Sequence, residues 1–393
     1  MFAAITGFGC ICAAGASLGE VMASLYSGKR NPAPPKRIVA GLDKLPPVFE
    51  IARDLHTMEG PEGLTRTNRL LKIALEEALK RAGLNRGQLK DRRVGVIIGT
   101  TVGCTMIEEP VYRDYKKKTA PSKDSLLQGL HSNPALFISK EYSLSGPATS
   151  IVNACSSGTD AIGMAKAWIE SGLCDIVIAG GTDELSRTTY LGFNSLLNTS
   201  FEPCRPFDKE RKGLNLGEGA GVVIVENSDI SAREGRKAAA SVAGYGSSGD
   251  AYHPTAPHPE GAGLMRATMT ALNSADIKAE AVSFINAHGT STVENDKVEG
   301  KVIRQLFHDS ATVVSTKSYT GHTLGAAGAI EAVLSVQALL DGRVPATAGF
   351  ENLDEECGIA PTTETTKIKG NVAVSNSLAF GGNNSVLLLK GCA

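Results

Sequence analysis

The sequence predicts an α/β fold in which buried strands alternate with amphipathic helices. Short apolar runs near glycines recur along the chain, which is typical of strands buried on both faces. Helical stretches with one apolar stripe lie between these runs. The chain has 393 residues, of which 42% are apolar, so there is material for a large core. This alternation indicates a layered architecture.

The predicted elements follow from local patterns. The strand candidates are residues 94–98, 175–179, 221–225, 282–285, 372–374 and 386–389. The helix candidates are residues 64–82, 159–171, 263–275 and 328–340. The N-terminal segment 1–15 is apolar enough for a signal peptide, but it has no positively charged start. We therefore predict a short buried strand over residues 3–7.

The chain also repeats a pattern. Residues 5–9, ITGFG, are similar to residues 242–246, VAGYG. Residues 217–225, GEGAGVVIV, have a counterpart in residues 381–389, GGNNSVLLL. Each half therefore opens with a strand that enters a glycine turn and closes with a glycine-rich turn that enters a strand. A duplicated unit explains this pattern, with predicted halves 1–230 and 235–393.

Composition excludes several classes of function. The net charge is −1, so nucleic acid is not an expected partner. The eight cysteines are scattered without a CxxC pair or a histidine at metal-ligand spacing, so we expect no metal site. No apolar run approaches the ~20 residues that a membrane helix needs. Scattered cysteines fit a reducing compartment, and we expect a cytoplasmic protein that does not interact with membranes.

One cysteine stands out by its context. Cys155 lies on a predicted tight turn before the helix 159–171, where helix N–H groups favour a thiolate. His288 and His322 lie in two downstream polar segments. A cysteine with two distant histidines suits an enzyme that forms a covalent thioester. Because the cysteine and the histidines belong to different halves, we expect a site between them, capped by loops at 110–135 and 186–215.

Four motifs around these residues occur in a familiar order. They are Cys155-Ser-Ser-Gly158, His288-Gly-Thr-Ser-Thr292, Thr316-Lys317 followed by Gly321-His322 and Gly325-Ala-Ala-Gly328, and Phe380-Gly-Gly-x-Asn384. With the segments 206–213 and 250–263, they make the whole chain resemble elongating β-ketoacyl-acyl carrier protein synthases of the thiolase superfamily. The resemblance implies a thiolase-like, duplicated α-β-α-β-α fold. It also implies decarboxylative condensation of a cysteine-bound acyl chain with malonyl-carrier protein, as in fatty acid elongation.

The resemblance assigns the catalytic groups. Cys155 is the implied nucleophile, and His288 and His322 are implied hydrogen-bond donors to the enolate oxygen. Lys317 becomes a buried charge, which we expect to pair with Glu299 because a buried ammonium needs a partner. Asp296 is expected to support the same cluster.

Substrate-contacting residues follow from the same resemblance. Thr290 and Thr292 are expected to bind the phosphopantetheine arm, and Ile107 to line the pocket where chain length is sensed. Phe380 is expected to gate the acyl pocket, and its N–H to complete an oxyanion hole with that of Cys155. Gly381, the next residue, is expected to contact the substrate. The preceding Leu378-Ala379 and the later Asn383 depart from the family pattern, which leaves gating and chain preference open.

The implied partner is an acidic acyl carrier protein, and basic residues at the cleft mouth would attract it. The predicted patch comprises Arg66, Arg69, Lys72, Lys116, Lys117, Lys209 and Arg211. No metal, nicotinamide or flavin is expected, and a structural monovalent cation is left open. A homodimer is expected, with a heterodimer containing a second ketosynthase-like chain as the alternative.

Three other functions are alternatives for this sequence. Residues 191–196 and 204–206 resemble ketosynthases of aryl polyene clusters, so a specialised polyene or polyketide pathway is the main alternative. A degradative thiolase would need a second catalytic cysteine, and Cys392 lacks the glycine-rich context. A non-catalytic chain-length partner subunit usually lacks the nucleophile, which Cys155 supplies here.

Overall fold

The computed structural model describes residues 1–38, 41, 44–55, 64–103, 105–120, 122–123, 129 and 132–392. The first half contributes β1 (Ala3–Cys12), β2 (Val94–Gly99), β3 (Ala148–Ile151), β4 (Ile176–Asp183) and β5 (Gly219–Asn227). The second half contributes β6 (Ala240–Gly249), β7 (Phe284–Asn286), β8 (Thr312–Val314), β9 (Arg343–Val344), β10 (Thr366–Lys367), β11 (Val372–Ala379) and β12 (Asn383–Gly391). Strands β9 and β10 pair with each other outside the main sheet.

The two halves have the same strand order. The main sheet runs β3-β2-β4-β5-β1-β6-β12-β11-β7-β8, so β1, β5, β4, β2 and β3 match β6, β12, β11, β7 and β8. In both halves the first two ladders are antiparallel and the last two are parallel. The halves join where Ala4 pairs with Ser241 and Ile5 with Ala240. The predicted duplication is confirmed, and the boundaries 1–230 and 235–393 stay a prediction.

Helices form three layers around the two halves of the sheet. The described helices are Leu18–Tyr26, Arg66–Ala82, Arg86–Lys90, Thr105–Lys116, Pro134–Glu141, Ser157–Glu170, Arg187–Ser195, Ser228–Arg233, Ala262–Ala275, Val293–Phe307, Lys317–Thr320 and Ala327–Asp341. Short 3₁₀ turns occur at Ala279–Ala281 and Leu324–Ala326. Ser157–Glu170 and Ala327–Asp341 pack together in the middle, against strands of both halves. Arg66–Ala82 covers β1 and β5, and Ala262–Ala275 covers β6 and β12, which completes the α-β-α-β-α layers.

Local sequence explains where the outer helix 66–82 begins and ends. The Thr65 hydroxyl accepts a hydrogen bond from the Asn68 N–H at 3.0 Å, which satisfies one of the free donors of the first turn. Gly83 ends the helix at φ 67°, a conformation that glycine adopts without strain. Both signals are readable in the sequence, and the predicted helix 64–82 differs from the observed one by two residues at its start.

Two segments predicted as loops contain helices. Thr105–Lys116 overlaps the predicted loop 110–135, and Arg187–Ser195 lies inside the predicted loop 186–215. Both segments are rich in polar residues, which favoured the loop prediction. Tertiary packing provides the missing stabilisation, since the two helices contact each other.

One helical stretch in the described part of the chain, Leu324–Asp341, is long and apolar enough to cross a membrane. However, 78% of that stretch is buried inside the protein. Its apolar surface therefore faces protein in the central layer, as expected for a core helix.

Candidate active site

Cys155 lies on the turn between β3 and the central helix Ser157–Glu170. The preceding residue, Ala154, has φ 49°, which makes the turn sharp. The Ala154 carbonyl accepts hydrogen bonds from the hydroxyls of Thr101 at 2.9 Å and Ser157 at 2.6 Å. These bonds fix an otherwise unfavourable backbone conformation, so the sulfur has a defined position at the start of a buried helix.

His322 brings the second half of the molecule to this sulfur. Its Nε2 lies 3.0 Å from Sγ of Cys155. The backbone of His322 is held by the first half, because its N–H donates to the Asn215 carbonyl at 2.8 Å and its carbonyl accepts from the Gly217 N–H at 3.0 Å. The cysteine and this histidine therefore meet between the halves, across a fixed backbone contact.

Burial opposes the expected thiolate at the helix start. It raises the pKa of Cys155 to about 12, against the opposing effects of Lys317 and of the Phe380 and Cys155 N–H groups. Removal of water destabilises the anion, so burial and the nearby positive groups act in opposite directions on this sulfur. Burial and Lys317 also hold the pKa of His322 well below its ordinary value. Burial therefore favours the neutral form of both the thiol and the imidazole.

His288 has a defined tautomer. Its Nδ1 lies 3.0 Å from Nζ of Lys317. Because an ammonium group only donates, Nδ1 accepts and the proton remains on Nε2. The rings of His288 and His322 are 5.2 Å apart and nearly perpendicular. By contrast, Nδ1 of His322 has no hydrogen-bond partner within the described residues.

The predicted pairing of Lys317 with Glu299 is wrong. Lys317 forms an ion pair with Glu331, and both side chains are buried. Burial raises the pKa of Glu331 to about 7, against the effect of Lys317. Glu331 was missed in the sequence, although a single carboxylate inside the apolar segment 328–340 was a signal that it needs a buried partner.

Glu299 instead holds the backbone next to His288. Its carboxylate accepts hydrogen bonds from the N–H groups of His288 at 2.7 Å and Gly289 at 2.8 Å, and from the Asn376 amide at 3.0 Å. Burial raises the pKa of Glu299 to about 7. Glu299 therefore acts on the histidine through the backbone rather than through the lysine.

Two further carboxylates organise the surrounding loops. Asp296, an expected supporting residue, accepts from the N–H groups of Phe207 at 2.7 Å and Ser291 at 3.1 Å. Asp183 was not predicted, and it accepts from the N–H groups of Thr101 at 2.9 Å and Gly325 at 2.7 Å. It thereby ties the turn after β2 to the second half, and burial raises its pKa to about 6.

A cavity of about 270 Å³ opens from the cysteine and both histidines. Thr290 and Thr292, the predicted arm-binding residues, line it, and their hydroxyls are 2.9 Å apart. Phe380 also lines it and stacks on Phe193, with ring centroids 5.1 Å apart. Phe193 was missed because helix 187–195 was predicted as a loop.

Gly381 and Ile107 are the two remaining predicted substrate contacts. Gly381 has φ 88° and donates its N–H to the Pro254 carbonyl at 2.7 Å, which joins the turn after β11 to the segment 250–263. Ile107 belongs to the helix Thr105–Lys116, but its side chain lies outside the described residues.

The predicted basic patch is partly wrong. Arg66 is buried and pairs with Glu218 through Nη2 at 2.7 Å. Arg211 is buried and pairs with Asp354. Arg66 neutralises the fully buried carboxylate of Glu218, which requires a cationic partner. Arg211 is itself buried and pairs with a partly exposed carboxylate.

The other members of the patch differ in exposure. Arg69 is half-buried and donates to the Leu55 carbonyl at 3.1 Å. Lys72 pairs with Glu141 at 3.4 Å. Lys116, Lys117 and Lys209 are exposed, so these three lysines are the part of the predicted patch that is available to a partner.

A duplicated α-β-α-β-α fold with a buried cysteine facing two histidines from the other half defines the class, that of thiolase-like condensing enzymes. The family profiles described as "Beta-ketoacyl synthase, N-terminal domain" and "Beta-ketoacyl synthase, C-terminal domain" match residues 3–229 and 239–351. The chain belongs to the β-ketoacyl synthase family, whose members are acyl-transferring condensing enzymes.

Individual relatives agree with this assignment. A 3-oxoacyl-[acyl-carrier-protein] synthase 2 from Coxiella burnetii is 36% identical and is matched over 98% of this chain and 97% of its own. The synthase 2 of a Synechocystis species is 34% identical over 98% and 97% of the two chains.

Solved structures confirm the thiolase-like fold. The ishigamide ketosynthase/chain length factor has a TM-score of 0.93 at 29% identity, and the match covers 100% of this chain and 99% of that one. The ketosynthase ApeO, solved with its chain length factor ApeC from Xenorhabdus doucetiae, has a TM-score of 0.87 at 31% identity over 100% and 98% of the chains.

Proposed function

We propose that the protein is a 3-oxoacyl-acyl carrier protein synthase that elongates carrier-bound acyl chains by two carbons. The single observation that supports this most strongly is the 3.0 Å contact between Sγ of Cys155 and Nε2 of His322, beside the cavity that also contains His288. The names of the two curated relatives favour fatty acid elongation.

Acyl transfer begins from the neutral pair. As the sulfur attacks the thioester carbonyl of the acyl-carrier protein, its proton passes to Nε2 of His322, which is close enough to accept it. The carbonyl oxygen becomes negative and is stabilised by the N–H groups of Cys155 and Phe380, both near the sulfur. The bond to the arm sulfur breaks, the arm sulfur takes the proton back from Nε2 of His322, and the acyl chain remains on Cys155.

Condensation uses the histidines as donors. A malonyl group bound in the emptied cavity loses CO₂, and the electron pair of the broken bond moves into an enolate. Nε2–H of His288 donates to the enolate oxygen, since Lys317 keeps the proton on that nitrogen. His322 is the second donor when its ring proton is on Nε2. The enolate carbon attacks the acyl-Cys155 carbonyl, and the bond to sulfur breaks. The sulfur then takes up a proton from solvent through His322, which restores the thiol, and the 3-oxoacyl product leaves on the carrier.

Loss of CO₂ drives this sequence, so we propose no redox cofactor and no catalytic metal. We propose a structural monovalent cation at the side chain of Asn376. Oδ1 of Asn376 is buried without a hydrogen-bond partner among the described residues, while its amide nitrogen bonds to Glu299. A cation would satisfy this oxygen.

We propose that the protein forms a dimer through the open edge of β3. This strand ends the main sheet, and Val152 just beyond it is 71% exposed. A paired edge would place the turn carrying Cys155 at the interface. A homodimer is our first expectation, and a heterodimer is the alternative, since two neighbours were solved as a ketosynthase with a chain length factor.

The proposed carrier partner and compartment follow from charge and cysteine chemistry. Lys116, Lys117 and Lys209 are exposed cations that would speed encounter with an acidic carrier protein. The described cysteines are all unpaired, which supports a cytoplasmic location.

A specialised polyene or polyketide ketosynthase is the second candidate. The ishigamide and ApeO neighbours favour it. The stacked Phe193 and Phe380 also give the cavity a flat aromatic wall next to the departure at Leu378-Ala379. A flat, conjugated acyl chain would pack well on such a wall.

Intact-mass analysis tests the proposal and separates the two candidates. After incubation with acyl-carrier proteins of several chain lengths, we expect the mass of the acyl group on the wild-type chain and none on Cys155→Ala. Cys174→Ala is the matched control, because Cys174 is also buried but lies at the far end of the central helix. Acylation of Cys155 by saturated acyl chains of many lengths would favour fatty acid elongation. Acylation by conjugated acyl chains alone would favour the specialised pathway. No acylation of the wild-type chain would contradict both.

A further inference from the structure

Leu197 has an unusual conformation for a leucine. It follows the helix Arg187–Ser195 with φ 56°, and its side chain is 87% exposed. The Asn198 N–H donates to the Phe193 carbonyl at 3.2 Å, so Leu197 occupies the helix-ending position that glycine usually takes. The other large apolar residues with positive φ in the described chain, Phe207 and Leu324, are buried. Leu197 therefore combines backbone strain with an apolar side chain in water, and folding explains neither.

This leucine lies where a delivered substrate must pass. Leu197, Leu196 and Val293 all line the cavity that contains Cys155, and we call these three residues the apolar rim. Leu196 and Val293 are each 49% exposed, so the rim is the outer end of the cavity. The lining also includes Lys212, which is paired with Glu202 at 2.7 Å, and the exposed carboxylate Glu294. Positive charge at the mouth is therefore neutralised, and apolar contact is what the rim offers to a partner.

We propose that Leu197 is a docking residue for the acyl carrier protein, and that the apolar rim contacts an apolar surface of the carrier beside its prosthetic arm. This inference rests on the proposed function. The arm has a fixed length, so a carrier that delivers a thioester to Cys155 must sit over the mouth of the cavity. Exposed lysines elsewhere accelerate encounter, whereas burial of the rim slows dissociation.

Substitution by residues that tolerate positive φ provides a test without a folding defect. Leu197→Gly and Leu197→Asn relieve the strain, so we expect a melting temperature at or above that of the wild type. The KM for malonyl- and acyl-carrier protein should rise roughly five- to tenfold, mainly through faster dissociation. The KM for the corresponding pantetheine thioesters should change by less than about twofold, because these small substrates do not cover the rim.

Leu173→Asn is the matched control. Leu173 is a 49% exposed leucine beyond the far end of the helix Ser157–Glu170. This variant should keep the wild-type KM for both substrate types, which shows that loss of an exposed leucine is not enough to weaken carrier binding.

The possible results separate the inference from the proposed function. An unchanged carrier KM in the Leu197 variants, with a wild type that condenses normally, overturns the inference alone. An equal rise of KM with carrier and pantetheine substrates also overturns the inference, because Leu197 would then act on the bound thioester and not on the carrier. A change in oligomeric state by light scattering would identify the rim as an interface between chains instead. A wild type that condenses neither substrate type overturns the proposed function itself.

Discussion

The turn after β3 and the segment after β8 occupy equivalent places in the two halves, yet they differ in length and chemistry. In the first half, residues 152–156 lead directly from β3 into the central helix and carry Cys155. In the second half, residues 315–326 separate β8 from the central helix and carry Lys317 and His322. The longer segment extends across the boundary between the halves, which brings His322 to the sulfur.

The comparison shows how a duplicated scaffold separates two tasks. The short turn places a nucleophile at a helix start with little freedom, whereas the long segment has room for a buried ion pair and an imidazole. The difference also extends to the two histidines. His288 is held in one tautomer by Lys317, while Nδ1 of His322 has no partner among the described residues. Each half therefore contributes one part of a site that neither has alone.

The largest expected effect separates the two histidines. His288→Ala should acylate at Cys155 at nearly the wild-type rate but release CO₂ from malonyl-carrier protein about 10²–10³-fold more slowly, because one donor to the enolate is lost. His322→Ala should slow both steps, since its Nε2 also takes the proton of a thiol whose pKa is raised to about 12. Stopped-flow acylation and radiolabelled CO₂ release measure the steps separately. Equal acylation rates in both variants would show that the thiol does not depend on His322.

A smaller loss of activity should follow when the turn 152–156 is moved away from the segment 315–326. A methyl group added at Gly158 would lie 2.7 Å from the Gly325 carbonyl oxygen and 2.9 Å from the Ala329 nitrogen, so the halves would have to move apart. We expect Gly158→Ala to lose about 1–3 kcal/mol of unfolding free energy. The condensation rate should fall about 10²-fold as the cysteine moves away from His322.

Gly19→Ala is the control for this displacement, because a methyl group there meets no atom within 4 Å. Urea denaturation and steady-state kinetics provide the two measurements. A fully active Gly158→Ala would mean that the contact between the halves does not set the distance from the cysteine to the histidine.

The third effect is on stability alone, and it concerns pH and the buried carboxylate of Glu299 in the second half. Burial raises the pKa of Glu299 to about 7, so the folded state binds its proton more tightly than the unfolded chain. The resulting stabilisation is complete below the unfolded pKa of ~4.3 and is lost as the pH rises through about 7. In this window the stability advantage of the wild type over Glu299→Gln should fall by up to about 1.4 kcal/mol per pH unit.

Urea denaturation of both proteins at several pH values measures that slope. Glu294→Gln is the control, because Glu294 is exposed on the same helix. A difference between wild type and Glu299→Gln that does not vary with pH would contradict the assigned protonation.

Much of the fold could be predicted because its signals are local. Apolar runs and glycine turns identified the main strands, and the similarity of residues 5–9 to 242–246 identified the duplication. Predictions for charged residues were less reliable. The sequence predicted Arg66 and Arg211 on the surface because arginine is usually exposed. Both side chains are instead buried, in ion pairs with Glu218 and Asp354.

The sequence alone determined the alternation of strands and helices, the duplication of one strand–helix unit, and the positions of the glycine turns. These properties depend on neighbours a few positions apart, so periodicity and glycine placement reveal them. Only the tertiary structure decided that Lys317 pairs with Glu331, that burial raises the pKa of Cys155, and that Leu197 is exposed at the mouth of the cavity. Ion pairing and loss of water depend on atoms that the fold brings together from distant parts of the chain, and no local pattern records them.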